Sequence, residues 1–246
     1  GLRLFVRDMR PNVTRSYTQR HSFVGERAAS CSSRLSYDRG MPEDTAAPAT
    51  DETHDAPDET PYGALPTGGT VRPITRWGTP VMHAPQRRVT EFDDDLRALV
   101  ADMTATMYAA DGVGLAACQI GVDLAVFVFD CPDASGRRVA GVVCNPDVST
   151  PEGAERRLDD SEEGCLSYPG AFVDCARPDR ASVVGVGLDG TPVRFEGDGL
   201  LARCLQHETD HTLGTVFGDR IGTKARKKLA KQHDKAAEDY PLGWPA

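Results

Sequence analysis

From about Pro66 onward, hydrophobic positions recur along the chain in two patterns. In "DDDLRALVADMTATMYAADG", Leu96, Leu99, Val100, Met103 and Met107 return at steps of three and four, which predicts an amphipathic helix. Acids fill its first turn and Gly112 stands just past its end, as start and stop signals should. Apolar runs follow at 124–129 (LAVFVF), 139–144 (VAGVVC), 182–188 (SVVGVGL) and 191–195 (TPVRF). Turn-forming residues separate them, so they predict strands, the last two a hairpin across Asp189-Gly190. A second helix is expected from about Asp198, carrying Leu200, Leu201, Cys204 and Leu205, and a third from about Lys224 to Asp239. Few helices, several short strands and no alternating strand–helix rhythm give the fold class α+β.

This texture spans residues 66–240, expected to form one domain, with 241–246 as a short tail. Residues 1–65 read differently. The first forty hold eight arginines, no lysine and three acids, and "MPEDTAAPATDETHDAPDETP" at 41–61 then holds seven acids and no lysine or arginine. Segregated charge with so little to bury predicts an extension that need not fold. Its Arg-rich start admits a transit peptide as the minor, organellar reading, and Met41 offers an alternative start.

Composition narrows the partners. A formal charge of −9 argues against duplex DNA. No apolar run approaches the roughly 18–20 residues that cross a bilayer, so no membrane partner is expected. The seven cysteines contain no C-x-x-C pair and leave an odd one over, which fits a reducing, cytoplasmic setting better than a disulfide framework.

The chemistry starts in "LARCLQHETDHTLG" at 201–214. On a helix His207 and His211 lie one turn apart on one face and can present two nitrogens to one ion, with Glu208 beside them as a candidate general base. The simpler alternative pairs the histidines with Asp210 or Glu208. A catalytic site needs a third protein ligand and an open position. Downstream, Asp219, His233 and Glu238 are unattractive, and His233 reads as a surface residue. Upstream, Cys165 in "SEEGCLSYPG" is the better candidate, with Cys118 and Cys204 as rivals. In "DGVGLAACQIG" at 111–121, two glycines permit close backbone approach and Gln119 sets an amide among small apolar side chains. Gly112, Val113, Gly114 and Leu115 are expected to shape a substrate pocket and to pair with an extended peptide. This stretch follows a helix and lacks both a third glycine in register and G-K-[ST], which excludes dinucleotide and phosphate-loop readings.

Taken in order, "GVGLAACQ" at 112–119, "EGCLS" at 163–167 and "QHETDH" at 206–211 resemble the peptide deformylase family, over roughly Val71 to Lys231. The resemblance implies antiparallel sheets around a central metal-bearing helix. It makes Cys165, His207 and His211 the ligands of one divalent metal ion, commonly Fe2+, with Ni2+, Co2+ or Zn2+ able to replace it. It makes Glu208 the general base, and Gln119 with the backbone N–H of Leu166 the oxyanion donors. The implied substrate is a nascent polypeptide beginning with N-formylmethionine, hydrolysed to formate and a free amino terminus. Thr212, where the family usually has leucine, and Tyr168, where a smaller aliphatic residue is common, depart from the pattern.

Two competing functions remain at this level. A zinc peptidase would need a downstream ligand, and a non-catalytic metal site would be closed by a second cysteine. Finally, "TKARKKLAKQHDK" at 223–235 carries seven basic residues, His233 included, against one acid. A solvated helix face is the simpler account, and a transient ribosome contact the alternative.

Overall fold

The structure, a computed structural model, describes residues 65–246. The expected extension therefore lies, apart from Leu65, outside the described residues, as does Met41. Helix α1 (Asp94–Ala109) begins where the Asp93 carboxylate accepts a hydrogen bond from Leu96 N at 3.0 Å, satisfying one of the helix's orphan donors. Leu96, Val100, Met103 and Met107 are buried, as their spacing requires, and Leu99 is partly so. The chain leaves the helix through Asp111 in the left-handed region (φ 53°), one residue before the expected glycine.

There follow β1 (Gly114–Ala116), β2 (Val126–Pro132), β3 (Arg138–Ser149), β4 (Leu158–Asp159), β5 (Glu162–Cys165), β6 (Tyr168–Asp174), β7 (Arg177–Pro178), β8 (Arg180–Val186) and β9 (Pro192–Asp198), then α2 (Gly199–Thr212) and α3 (Thr223–Ala236). One antiparallel sheet has the order β1-β2-β3-β8-β9, and β4–β7 and β5–β6 form two small pairs. The β8–β9 hairpin is the one expected across Asp189-Gly190.

Strand β2 shows why its sequence lacks polar alternation. Phe127, Phe129 and Cys131 join one core cluster with Leu201, Cys204 and Leu205 of α2, while Val126 and Val128 join another with the apolar face of α1. Side chains alternate across a strand, so a sheet covered on both faces needs apolar residues at every position. Each fully buried Phe or Leu contributes roughly 1.5–3 kcal/mol, before the entropy of ordering is charged against it.

Strand β3 runs beyond its expected end at Cys144. The register shifts between Cys144 and Asp147, where Asn145 adopts φ 53° and its side-chain amide bonds both Val89 N (2.8 Å) and Val89 O (2.9 Å). Asn145-Pro146 is therefore a bulge within the strand rather than a stop.

Helix α2 lies at the centre, buried from Leu201 to Thr212 and packed on β2, β3 and β8. Helix α3 docks on β6 through buried Leu229, through Gln232 Oε1 accepting from Phe172 N at 2.7 Å, and through His233 Nδ1 at 2.8 Å from Pro169 O. His233, expected at the surface, is half-buried because its ring stacks on Tyr168 at 4.0 Å. Tyr168 in turn meets Trp77 edge-on at 4.5 Å, so its large ring fills the space between α3 and the Trp77 loop. In the last residues, Trp244 O accepts a hydrogen bond from Ile74 N at 2.9 Å and its ring packs against the α1 cluster.

Candidate metal centre

Helix α2 turns His207 and His211 the same way, as the four-residue spacing dictates, and their Nε2 atoms lie 3.1 Å apart. Cys165, at the end of β5, brings its Sγ to 3.4 Å from His211 Nε2. These three ligand atoms lie within 4.8 Å of one another, and all three residues are buried. Two imidazole nitrogens and a thiol sulfur converging in a buried space form a borderline-soft donor set of the kind that holds one divalent transition metal. The residues present fit such an ion.

The rivals do not converge. Cys118 Sγ points to His211 O at 3.8 Å and Cys204 Sγ to Val113 O at 3.5 Å, both in the core, and burial pushes the Cys118 thiol's pKa up. Asp219 bonds Val216 N at 3.2 Å and pairs with Arg226, near its own turn. Among the described residues no second cysteine completes a closed four-ligand site.

Nor do the histidines pair with Asp210 or Glu208. His207 Nδ1 lies 2.7 Å from Glu163 Oε1, and Asp210 instead binds Arg177 at 2.9 Å and Arg220. Glu163 is fully buried and gripped by two guanidiniums: Arg177 Nη2 and Nε at 2.6 and 2.7 Å, and Arg203 Nη1 at 2.9 Å. Burial opposes ionisation of Glu163, yet the charge and hydrogen bonds of Arg177, then those of His207, hold its carboxyl well below the usual range. This residue was missed as a functional group by sequence reasoning. A signal existed, since a glutamate stands two before a candidate ligand cysteine on an extended segment. Its arginine partners carry no such mark.

Burial would lower the pKa of His207, but bonds to Cys165 and Glu163 raise it well above the ordinary value. Burial and the charge of His207 lower that of His211. The shifts run in opposite directions, so the charged form is favoured on His207 and disfavoured on His211.

Glu208 follows His207 and turns toward the same cleft. Burial pushes its carboxyl up to about 7, and Oε2 has no hydrogen-bond partner among the described residues. The cleft is lined by Gly112, Val113, Gly114, Gln119, Gly164, Cys165, Leu166, His207 and Glu208. A Cβ on Gly114 would meet Glu208 Oε1 at 2.5 Å, and one on Gly112 would meet the Leu166 side chain at 2.8 Å, so both glycines serve close approach. Leu115 differs from the expectation: its side chain is buried beneath α1 and does not line the cleft, because β1 alternates.

Gln119 is oriented by its own loop. Its Oε1 accepts from Ala116 N at 2.8 Å, which fixes the amide and turns Nε2 toward Cys165 Sγ (3.6 Å) and Ser167 Oγ (3.4 Å). Thr212, the irregular residue of the helix, is accommodated in the last turn. Its hydroxyl donates to Thr209 O at 2.8 Å and its carbonyl accepts from Gln86 N at 2.9 Å.

Residues 71–227 match the family described as polypeptide deformylase. Among similar proteins, peptide deformylase 1 of Streptomyces avermitilis is 51% identical over 174 residues, covering 71% of this chain and 81% of that one. A peptide deformylase of Mycolicibacterium paratuberculosis is 49% identical, covering 67% of this chain and 89% of that one. The crystal structure of a peptide deformylase from Legionella pneumophila superposes with a TM-score of 0.61 at 36% identity, covering 69% of this chain and 96% of that one. That of a Synechococcus elongatus peptide deformylase in complex with actinonin gives 0.58 at 38%, covering 67% and 85%.

Proposed function

This chain belongs to the polypeptide deformylase family, and we propose on that basis that Cys165, His207 and His211 hold one divalent metal ion, while Glu208, Gln119 and the Leu166 main chain carry the hydrolysis. The activity is removal of the N-formyl group from newly made polypeptides, releasing formate. The observation that carries the site assignment is the convergence of one thiol and two imidazole nitrogens beside the buried carboxylate of Glu208.

When bound, the ion supplies Lewis acidity, lowering the pKa of the attacking water and polarising the formyl carbonyl. Glu208 accepts a proton from the water as its oxygen attacks the formyl carbon, a role suited to a carboxyl that burial has raised toward neutrality. Negative charge then gathers on the formyl oxygen, where Gln119 Nε2–H and Leu166 N–H donate hydrogen bonds. As the C–N bond breaks, Glu208 passes its proton to the departing amine. Formate and a free amino terminus leave.

Among the described residues strand β1 is an edge strand, paired with β2 on one side only. An extended peptide can add to its open edge through main-chain hydrogen bonds, which is sequence-tolerant recognition. Gly112, Val113 and Gly114 contact the substrate in this reading, with Leu115 contributing backbone alone.

The native ion is taken as Fe2+, with Ni2+, Co2+ or Zn2+ acceptable to the same donors. Among the described residues no helix is long and apolar enough to cross a membrane. The setting proposed is the cytoplasm, where formylated chains arise. A transient ribosome contact through α3 is supported by the exposure of Lys224, Lys227, Lys228 and Lys231. Neutralising Lys227, Lys228 and Lys231 should abolish a salt-sensitive association, and unchanged binding discards that contact.

Glu208→Gln tests the assignment. The variant should keep its metal and lose turnover. Loss of the ion instead would make Glu208 a ligand and defeat the mechanism.

A further inference from the structure

Arg203 lies one turn before His207 on α2, so it shares the helix face that carries both histidines. Its guanidinium is buried and makes three kinds of contact. Nη1 donates to Glu163 Oε2 at 2.9 Å and to Cys175 O at 2.7 Å, while Nη2 donates to Asp159 O at 2.9 Å. These partners bracket the β5–β6 pair: Asp159 precedes β5, Glu163 and Cys165 lie within it, and Cys175 follows β6.

A buried guanidinium is costly unless fully paired, and an apolar side chain at this position would pack the helix at lower cost. Arg177 already neutralises Glu163 through two hydrogen bonds, so a second cation is not needed for charge balance. What Arg203 adds is geometry. It ties the helix bearing His207 and His211 to the strand bearing Cys165, and it holds Glu163 by the oxygen opposite the one that meets His207 Nδ1.

We infer that Arg203 is a positioning residue for the metal centre, setting both the His207 ring and the distance between Cys165 and α2. This rests on the reading of Cys165, His207 and His211 as the ligands. Arg203 touches none of the ligand atoms; it acts through Glu163 and the main chain of the strands.

The test is Co2+ binding to the full chain, measured by chelator competition together with the visible absorption of the bound ion. Arg203→Met should bind Co2+ about tenfold more weakly, or worse, with an altered spectrum, in keeping with the 10–100-fold typical of groups that orient ligands. Arg203→Lys, which keeps the charge but not the planar fork, should lie between. Val183→Ala, a core substitution away from Glu163, controls for destabilisation and should bind as the parent does. Met and Lys variants within twofold of the parent, with an unchanged spectrum, overturn the inference; so does equal weakening in Val183→Ala. If Arg203→Met does not fold, the Lys variant decides alone, and parent-like binding there overturns it. Failure of the unsubstituted chain to bind Co2+ would instead sink the ligand assignment itself.

Discussion

Glu163 Oε1 lies 2.7 Å from His207 Nδ1, at the end of the ring remote from the nitrogen that faces Cys165 and His211. A carboxylate there accepts a hydrogen bond from Nδ1–H, which fixes the plane of the imidazole and, in the neutral ring, places the lone pair on Nε2. Glu163→Gln removes that charge and leaves two buried guanidiniums short of an anion. Metal affinity should fall about 10–100-fold, and the metal-free protein should lose roughly 3–5 kcal/mol, the usual cost of breaking a buried ion pair. Chelator competition and urea unfolding of the variant check both; parent-like values in each would show Glu163 to be ornamental.

The same carboxylate should govern acid stability. Its folded pKa is depressed below the unfolded value of about 4.3, so the folded state binds fewer protons in that range. The stabilisation is complete above the unfolded value and is lost as pH falls through the window below it. The urea midpoint of the metal-free protein should therefore drop as pH is lowered from about 5, and Glu163→Gln should flatten that slope. An identical slope in the variant would assign acid sensitivity to other groups.

Gly114→Ala places a methyl group 2.5 Å from Glu208 Oε1. The base must move aside, and displacement of about 1 Å can cost on the order of 10² in rate. Turnover should fall by about that factor while one ion per chain is retained. A kcat/KM within twofold of the parent would mean that the glycine serves folding rather than approach.

Gln119→Leu deletes the Nε2 donor and the acceptor of Ala116 N together. Loss of an oxyanion donor typically lowers turnover about 10²–10³-fold. The effect should fall on kcat more than on KM, because the bond strengthens as charge develops. A change confined to KM would reassign Gln119 to substrate binding.

Much of this was legible in the chain. Period and end signals marked α1, the apolar residues before the histidines marked α2, and apolar runs marked β2, which is covered on both faces, and β3, β8 and β9, which keep exposed positions. Cys165 stood out by its motif. Strand β3 was expected to end at Cys144 because its apolar run stops there, whereas the strand continues through a bulge at Asn145 held by the Val89 backbone. His233 looked solvated because its partners, Tyr168 and Pro169, lie some sixty residues earlier. Leu115 was grouped with its glycine neighbours, although strand alternation turns it into the core. Glu163, Arg177 and Arg203 are the larger omission, and Asp210 was weighed only as a partner of the histidines. Each resembles a surface charge when read singly, and a buried network is specified by contacts 14 to 40 residues apart that no local pattern encodes.

The most direct measurement is an anaerobic assay on formyl-Met-Ala-Ser that follows formate release and peptide-bond cleavage together, with metal content determined on the same sample. Formate equal to new amino termini, an intact peptide, and activity that tracks one ion per chain is the expected result. A folded chain loaded with iron or nickel that releases no formate would contradict the account.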